Sequence, residues 1–454
     1  MSTTRAFADF LLGQAKAGLP PAAIAAATRL VCDGVSVAAL GATEPAPQLL
    51  AQQAAEARGA AQATIIAQGL PRLSAAAAAR VNGAAMHVLD YEPMWNPANH
   101  SLSTTLPALL ALSETREDVD GHKLLTALAT GIEAQARLRK ASGMFEPGDF
   151  IFHPPGMVGA IGSAVGCGIL LGLDVPGLTM AIGIAASRAG ALIANVGSMT
   201  KCLHCGDAAA GGLEAALLAA RGFTSDADAI GNPRGWGRAF GSARFDPAAL
   251  TVPMGEWHIT SPGPAFKLYP SQYGTHFVIA AALDARSKWR GTAEIDRVTI
   301  TAPAMAYVDR PLPASGLAGK FSFQYTAAAA LLDGDVTVSS FSDQRRFAAD
   351  MEALLPRMHV LPDPSRKGRF DEMRVDLEVV RKNGEIFYGQ CIGPLGIWGR
   401  PVPEQRLAEK WRDCLAGAYG AAGAEAFLRQ LLSVAGMESM GLRRLIHSLG
   451  KGDT

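Results

Sequence analysis

A lysine and a histidine stand three residues apart in the apolar, glycine-containing segment 195–206, whose sequence is NVGSMTKCLHCG. If a helix begins here, Lys201 and His204 lie near one of its faces, because side chains three apart are neighbours on a helix. An ammonium group beside a titratable imidazole suits carboxylate binding or proton transfer. Taken alone, such a pair is more often a plain helix start whose lysine reaches solvent, so the interpretation needs support from other segments.

Similar polar groups stand in other apolar or glycine-rich parts of the chain. They are His87 to His100, His153-Pro-Pro-Gly156, Lys267-Leu-Tyr-Pro270 with His276, and Lys320-Phe-Ser-Phe-Gln-Tyr325. Together with Lys201 they predict one site, assembled from distant segments of the chain. The motif Cys202-Leu-His-Cys205 resembles half of a zinc or redox site, but no second CxxC motif accompanies it, so we expect no metal there.

The composition restricts the classes of partner. The chain has 454 residues with 41 basic and 41 acidic side chains, so its formal net charge is zero. No overall field therefore favours nucleic acid or an anionic membrane surface, and any anion binding must be local. Six scattered cysteines and an N-terminus without the pattern of a secretion signal predict a reduced cytoplasmic protein. The uncharged stretch 157–173 contains five glycines and favours a buried helix over a membrane span.

The pattern predicts a mainly α fold with an α+β insertion. Residues 1–265 have helical spacing of alanine and leucine, as in 21–32, and the stretches 73–88 and 179–193 are apolar on nearly all sides, which predicts buried helices. They form a large helical domain.

Residues 266–395 predict a smaller α+β lid domain. A strand is expected at 295–301, a hairpin at 373–380 and 386–392 around the Asn383-Gly384 turn, and helices at 322–332 and 343–355. Residues 396–454 are helical again and are expected to return to the first domain, which makes the α+β unit an insertion.

The order of the motifs resembles one known family. The matching segments are Asn82-Gly-Ala-Ala-Met-His-Val-Leu-Asp-Tyr91 with His100, Gly131-Ile-Glu133, His153-Pro-Pro-Gly156, Gly197-Ser-Met-Thr-Lys201 with His204 and Gly206, Lys267-Leu-Tyr-Pro270, and Phe321-Ser-Phe-Gln-Tyr325 with Leu331-Leu-Asp-Gly334. Their order and spacing along nearly the whole chain are similar to the MmgE/PrpD family, which includes 2-methylcitrate dehydratase, cis-aconitate decarboxylase and iminodisuccinate epimerase.

This resemblance implies a homodimeric enzyme that acts on a small di- or tricarboxylate without a metal or organic cofactor. The chemistry common to the family is proton movement at a carbon beside a carboxylate or imine. The positions that the resemblance marks as catalytic are Asp90, His100, His153, Lys201 and Tyr325. Those marked as substrate-binding are Lys267, His204, His276 and Glu92.

The chemistry of these side chains suggests roles for them. Lysines and histidines can neutralise several substrate carboxylates, and a cluster of cations lowers neighbouring pKa values, which leaves a neutral base near pH 7. We expect His153 or Lys201 to accept the proton and Asp90 to orient a histidine. Tyr325 is expected to bind a carboxylate or donate a proton. His87 is expected to support the site from the core.

One segment departs from the family pattern. Many members carry an acidic pair followed by threonine after the Leu-Asp-aromatic element, whereas this chain has Asp90-Tyr-Glu-Pro-Met94. Met94 removes a hydroxyl that could bind substrate or a leaving group, and Ser101 replaces the proline that commonly follows His100. These differences count against the dehydratase assignment and are compatible with a different substrate or with the epimerase branch. The leading hypothesis is a lyase, a dehydratase or a decarboxylase, that acts on a small di- or tricarboxylate of the 2-methylcitrate or cis-aconitate type. An epimerase of a related dicarboxylate, such as an iminodisuccinate, and a non-catalytic carboxylate-binding protein remain alternatives.

Overall fold

The structure is a computed structural model that describes residues 2–145, 151–253, 255–289 and 294–452. The described part of the N-terminal half consists mainly of helices. Side-chain caps begin several of the helices: Ser74 accepts a hydrogen bond from the Ala77 N–H, and Asp120 accepts one from the Lys123 N–H. The helices are α1 Thr3–Ala17, α2 Pro21–Gly41, α3 Pro45–Glu56, α4 Ala75–Val88, α5 Ser101–Glu114, α6 Gly121–Ser142, α7 Pro154–Leu171, α8 Val175–Ala186, α9 Thr200–Ala219 and α10 Trp236–Phe240.

Helix α7 lies at the centre of this bundle, against α5, α6, α8 and α9. Nearly all its residues are buried, as expected for a helix that is apolar on every side. By length and composition, α2 and α7 could each cross a membrane, but 67% and 89% of their apolar windows are buried inside the protein. The helix predicted at 179–193 ends earlier, at Ala186, and Ala191 has a left-handed φ of 74°. This turn brings the Ala191 carbonyl to the His153 N–H, at 2.8 Å.

The α+β part contains a four-stranded sheet in the order β2-β1-β3-β4. Strand β1 pairs parallel to β2 and antiparallel to β3, and β3 and β4 form a hairpin. Helix α11 packs on β3 and β4, and α13 packs on α11. The elements are α11 Tyr273–Ser287, β1 Ile295–Ala302, α12 Gly316–Gly319, α13 Phe323–Asp333, α14 Asp343–Arg346, α15 Ala349–Leu354, β2 Met358–Pro362, β3 Val375–Arg381 and β4 Ile386–Cys391.

The predicted strand and hairpin are present. The helix expected at 343–355 is divided into α14 and α15, because Phe347 leaves the helical conformation. Strand β2 has no counterpart among the predictions.

The chain ends in α16 Glu404–Leu432, which bends at Gly420, and α17 Ser439–Lys451. Trp411, Phe427 and Leu445 belong to the hydrophobic cluster that also contains Leu30 and Leu106, so these helices pack against the N-terminal bundle. The mainly α fold with an α+β part is confirmed. The domain boundaries at 265 and 395 stay a prediction.

Candidate active site

The turn after α4 is the structural base of the site. Leu89 is the last residue with helical angles, and Asp90 then adopts a left-handed φ of 52°. Aspartate tolerates this conformation better than most residues, and strained backbone of this kind is common at functional sites. The turn buries the side chains of Asp90 and Glu92, which point to different partners.

Two lysines bind the Asp90 carboxylate. The Lys201 Nζ donates to Oδ2 at 3.0 Å, and the Lys267 Nζ donates to Oδ1 and, at 2.9 Å, to the Asp90 carbonyl. Burial alone would raise the pKa of Asp90, but the two ammonium groups outweigh it and hold that pKa well below its usual value. Two positive charges thus face the one negative charge of Asp90. With the nearby Lys320 and the ionised Glu92 counted as well, three lysines face two carboxylates, so this part of the site has an excess of one positive charge.

Glu92 binds two histidines behind this cluster. Its Oε1 contacts the His87 Nδ1, lies 3.0 Å from the His100 Nδ1, and accepts a hydrogen bond from Ser103 at 3.1 Å. Because the Lys201 ammonium, 2.8 Å from the His87 Nε2, can only donate, His87 must carry its hydrogen on Nδ1. Burial lowers the pKa of His87 to about 3, so this ring is neutral near pH 7.

Four imidazoles cluster in the site: His87, His100 and His153 form a triangle in which His87 and His153 are 5.6 Å apart, and His204 adjoins His153. The ring centres are 4.5 Å apart for His87 and His100, 6.1 Å for His100 and His153, and 5.4 Å for His153 and His204. The Nδ1 atoms of His153 and His204 are 3.2 Å apart. Burial, assisted by the nearby Lys201, lowers the pKa of His153 well below its usual value. Burial also lowers the pKa of His100, and Glu92 only partly opposes this. Both rings are therefore neutral bases at pH 7.

A cavity of about 530 Å³ opens beside this cluster, between the helical bundle and the α+β part. Asp90, His100, His153, Lys201 and Lys267 contribute its polar wall. The rest of its wall includes Met94, Ile193, Val196, Gln272, Tyr273, Met305, Tyr307, Phe321 and Phe370. A small anion that enters this cavity meets two ammonium groups and two neutral imidazoles at once.

Lysines also bind the backbone of the turn. The Lys320 Nζ donates to the Leu89 carbonyl at 3.1 Å, and the Lys410 Nζ donates to the Tyr91 carbonyl at 2.9 Å. With Lys267 on the Asp90 carbonyl, three consecutive carbonyls each accept from a lysine of a different segment. Burial lowers the pKa of Lys320 to about 8. The turn that carries Asp90 and Glu92 is thus held from three sides.

Two sets of side chains come close enough to share a metal ion: His87, His100 and His153, and Asp90, Glu92 and His100. Imidazole and carboxylate groups are suitable ligands for a divalent metal. However, Lys201 already donates to His87 and Asp90, and its positive charge would repel a cation. The donor set therefore fits an anion better than a metal, and a site without metal stays our prediction.

Comparison with known proteins identifies the family. The MmgE/PrpD N-terminal domain matches residues 5–247, and the MmgE/PrpD C-terminal domain matches residues 269–433. The chain belongs to the MmgE/PrpD family. Cis-aconitate decarboxylase from Mus musculus is 33% identical to it over 423 residues, which cover 90% of this chain and 86% of the relative. The Homo sapiens protein of that name is 32% identical over 421 residues, 90% of this chain and 87% of its own length.

A more distant relative is the cis-aconitate decarboxylase of Aspergillus terreus, 26% identical over 437 residues, 88% of this chain and 86% of the relative. The resemblance inferred from the motifs is therefore confirmed, and so is the prediction that this MmgE/PrpD protein is a lyase.

The structure brings together five of the residues predicted for the MmgE/PrpD site. Asp90, His100, His153, Lys201 and Lys267 all line the cavity. His204 lies behind His153 and contacts it. A helix, α9, begins at Thr200. Its Lys201 is buried, whereas the lysine of a plain helix start would reach solvent.

Two acidic side chains differ from their expected roles. Asp90 was expected to orient a histidine, but it binds two lysines. Glu92 was expected to bind substrate, but its carboxylate is fully buried behind His87 and His100 and orients those rings. Glu92, rather than Asp90, is thus the carboxylate beside the histidines, and the left-handed turn at Asp90 lies between the two side chains.

Tyr325 and His276 do not reach the cavity in this structure. The Tyr325 hydroxyl donates to the Ser340 carbonyl, and its ring packs against Gly319, beside Lys320. His276 stacks on Tyr273 with ring centres 4.9 Å apart, inside the α+β part. These placements correct the expected contacts with substrate: both residues are packed in the interior, and they support their neighbours.

Tyr307 is a candidate that the sequence interpretation missed. It lines the cavity, and its oxygen accepts a hydrogen bond from Gln272 at 2.9 Å. Burial, with a smaller contribution from Asp90, raises the pKa of Tyr307, so the hydroxyl keeps its hydrogen. Within the described residues this hydrogen has no acceptor, so it can be donated to a ligand. The only sequence signal was a polar residue in the loop after β1.

Proposed function

We propose that this lyase releases carbon dioxide from a tricarboxylate of the cis-aconitate type. The observation that supports it most is the Lys201–Asp90–Lys267 cluster, which faces a cavity together with two neutral imidazoles. The excess positive charge suits a substrate with several carboxylates, because charge-assisted hydrogen bonds are strong in a water-poor site. The names of the relatives agree with this substrate.

The proposed reaction shifts two electron pairs along the substrate. The bond from carbon dioxide to a carbon beside a C=C bond breaks, and its pair forms a new double bond. The displaced π pair moves to the carbon that carries another carboxylate, where a proton adds. The product has one carboxyl group fewer and its double bond one position further along. Among the described residues the Lys201 ammonium donates only to His87 and Asp90, so its third N–H can bind a carboxylate that remains. The three N–H groups of Lys267 are used by Asp90 and Ser271, so Lys267 stabilises the negative charge that develops there through its own charge.

We assign the proton transfer to His153. Its Nδ1 lies 3.2 Å from the His204 Nδ1, which leaves Nε2 for the substrate. His100, whose Nδ1 lies 3.0 Å from the Glu92 carboxylate, offers its Nε2 in the same way and is the alternative. Both rings are neutral in the free protein. Substrate carboxylates offset the positive charge of the lysines, which raises the imidazole pKa values and lets a ring take up the proton that it later delivers.

A dehydratase is the rival within the lyases. It would have to bind and protonate a leaving hydroxyl, and Met94 in the cavity wall offers no group for this. The absence of a hydroxyl at Met94 and the names of the relatives both support loss of carbon dioxide over loss of water.

Proton NMR in deuterium oxide tests the proposal. The purified protein is incubated in turn with cis-aconitate, citrate, 2-methylcitrate, malate and iminodisuccinate. We expect new alkene signals and carbon dioxide from cis-aconitate, with one deuterium in the product. Water loss from citrate or 2-methylcitrate would identify a dehydratase, and exchange without a new product would identify an epimerase. Binding with neither would identify a carboxylate-binding protein, and each of these three results would contradict the proposal.

We also propose that the protein is a homodimer, that its reaction needs no cofactor, and that it is located in the cytoplasm. Analytical ultracentrifugation of the purified protein would test the first of these proposals.

A further inference from the structure

A second cavity opens between the C-terminal helix α17 and the end of α5. Its volume is about 560 Å³. We call it the basic pocket, because five of the eight residues that line it are basic: Arg72, Glu114, Met440, Arg443, Arg444, His447, Ser448 and Lys451. Helix α5 begins beside His100 and ends at Glu114, and at 1.5 Å per residue it is about 20 Å long. The basic pocket is therefore separate from the cavity of the active site.

The one acidic side chain of the basic pocket is already paired. The Arg72 Nη1 donates to the Glu114 Oε1 at 2.6 Å, and the Thr64 hydroxyl donates to the same oxygen at 2.8 Å. The Thr64 N–H donates to the other carboxylate oxygen, and the Glu114 side chain is only 3% exposed. This carboxylate therefore balances the charge of Arg72 and leaves the other cations of the pocket without an acidic partner.

Three cations of α17 remain: Arg443, Arg444 and Lys451. The Arg443 Nη1 lies 3.7 Å from the Glu117 carboxylate, beyond hydrogen-bond distance, and its buried Nε has no hydrogen-bond partner among the described residues. The Arg444 Nη2 reaches the thioether sulfur of Met440, a weak acceptor, at 3.3 Å. Lys451 forms no ion pair within the described part of the chain. Even with Glu117 counted against these three charges, the pocket has an excess of two positive charges.

His447 adds a hydrogen-bond donor to this charge. The Arg72 Nη1 lies 2.6 Å from the His447 Nδ1, and a guanidinium can only donate. The Nδ1 atom must therefore accept, and the ring carries its hydrogen on Nε2. Because no described residue accepts from this Nε2–H, it is available to a ligand in the pocket.

The spacing of the donors indicates the size of the ligand. Arg443, His447 and Lys451 follow one another at intervals of four residues, so they lie on one face of α17 and extend over about 12 Å of its axis. A single phosphate or carboxylate group contacts only part of such a face. The planar fork of arginine matches the oxygen atoms of a phosphoryl group, and linked phosphoryl groups carry several charges over a longer span.

We propose that the basic pocket binds a small soluble anion with two or more linked phosphoryl groups. Arg443 and Arg444 bind one phosphoryl group, and the His447 Nε2–H and the Lys451 ammonium bind the next. Charge-assisted hydrogen bonds of this kind are stronger than neutral ones. The binding involves no bond that forms or breaks, and it does not depend on the proposed decarboxylation.

Calorimetry with inorganic diphosphate tests the basic pocket. We expect diphosphate to bind about tenfold or more tightly than monophosphate, because it reaches more of the donors. The double variant Arg443→Gln/Arg444→Gln should weaken diphosphate binding by about tenfold or more. Its matched control is Arg406→Gln/Arg412→Gln, on two arginines of α16 that pair with glutamates at the surface, and this variant should bind as the unaltered protein does. Unchanged affinity in the Arg443/Arg444 variant would overturn the inference.

Two further measurements separate the basic pocket from other anion sites. Lys201→Ala should keep its affinity for diphosphate, and a loss of binding in that variant would place the anion in the active-site cavity and overturn the inference. In sedimentation with vesicles of phosphatidylcholine and phosphatidylserine, we expect the protein to stay in solution. Binding to vesicles without binding of diphosphate would identify a membrane surface as the partner and would also overturn the inference. None of these measurements uses turnover, so the proposed reaction can fail while the basic pocket stands.

Discussion

Two clusters of lysine and aspartate lie on opposite sides of the Asp90–Glu92 turn, and they differ in charge balance. On the cavity side, Lys201 and Lys267 share one carboxylate. On the other side, Lys410 donates to Asp33 at 2.7 Å, and the Trp411 indole donates to the same oxygen at 2.9 Å. The second cluster is balanced, buried and away from the cavity, whereas the first is left with an excess positive charge.

This difference separates a site that binds a ligand from a contact that supports the fold. Buried charges are costly unless they are paired, so a pair without a cavity mainly fixes the geometry of its surroundings. Lys410 does this directly, because it also binds the Tyr91 carbonyl, between the two carboxylates of the site. An unbalanced cluster beside a cavity instead has affinity left for an anion.

The largest effect on the cavity side is expected for His153→Gln. Loss of a proton-transferring imidazole should lower kcat about 10²- to 10⁴-fold. Binding of propane-1,2,3-tricarboxylate should weaken much less, because the lysines remain. Steady-state kinetics and calorimetry measure the two effects, and His122→Gln, on an exposed histidine of α6, is the matched control. Equal losses in turnover and binding would make His153 a binding residue.

Substitutions in the balanced cluster of Lys410 and Asp33 should change the stability of the protein. Lys410→Met leaves the buried Asp33 without its ammonium partner and should lower the free energy of unfolding by about 3–5 kcal/mol. The double variant Asp33→Asn/Lys410→Met should recover most of this loss, because the introduced amide is uncharged and its oxygen can still accept from the Trp411 indole. Urea denaturation measures all three proteins. If the double variant is no more stable than the single one, the unpaired charge of Asp33 is not the cause of the lost stability.

Substrate binding should take up protons near pH 7, by up to about one per site. The pKa values of His100 and His153 are lowered in the free protein, and bound carboxylates raise them. Because the complex then holds more protons than the free protein, affinity should fall as the pH rises through neutrality. Calorimetry of propane-1,2,3-tricarboxylate in buffers of different ionisation enthalpy measures the uptake. An absence of proton uptake would show that the rings are already charged in the free protein, and proton release would contradict the prediction outright.

The sequence predicted periodic elements better than their ends. Hydrophobic patterning located α7 and the β3–β4 hairpin, since both depend on local spacing. It extended α8 past Ala186 and joined α14 to α15, because turns such as the one at Ala191 are fixed by contacts with distant residues. Strand β2 is short and ends in a proline, which gives little local signal.

The site shows the same limit. Motif order identified the five residues of the polar wall, but not their partners. Asp90 and Glu92 are two residues apart, and only the left-handed turn between α4 and α5 decides which one binds lysines and which one binds histidines. Tyr307 and Tyr325 are chemically identical, and only tertiary packing turns one toward the cavity and the other toward Ser340.

The most direct test of the central claim measures carbon dioxide released from labelled cis-aconitate by the unaltered protein and by Lys201→Ala. The matched control is Lys382→Ala, on a half-exposed lysine of the β3–β4 turn that pairs with Glu294. We expect release by the unaltered protein and the control, and a loss of about 10²- to 10³-fold in kcat/KM for Lys201→Ala, with an unchanged circular dichroism spectrum. Full activity of folded Lys201→Ala would contradict the account, as would no release from any of the three proteins.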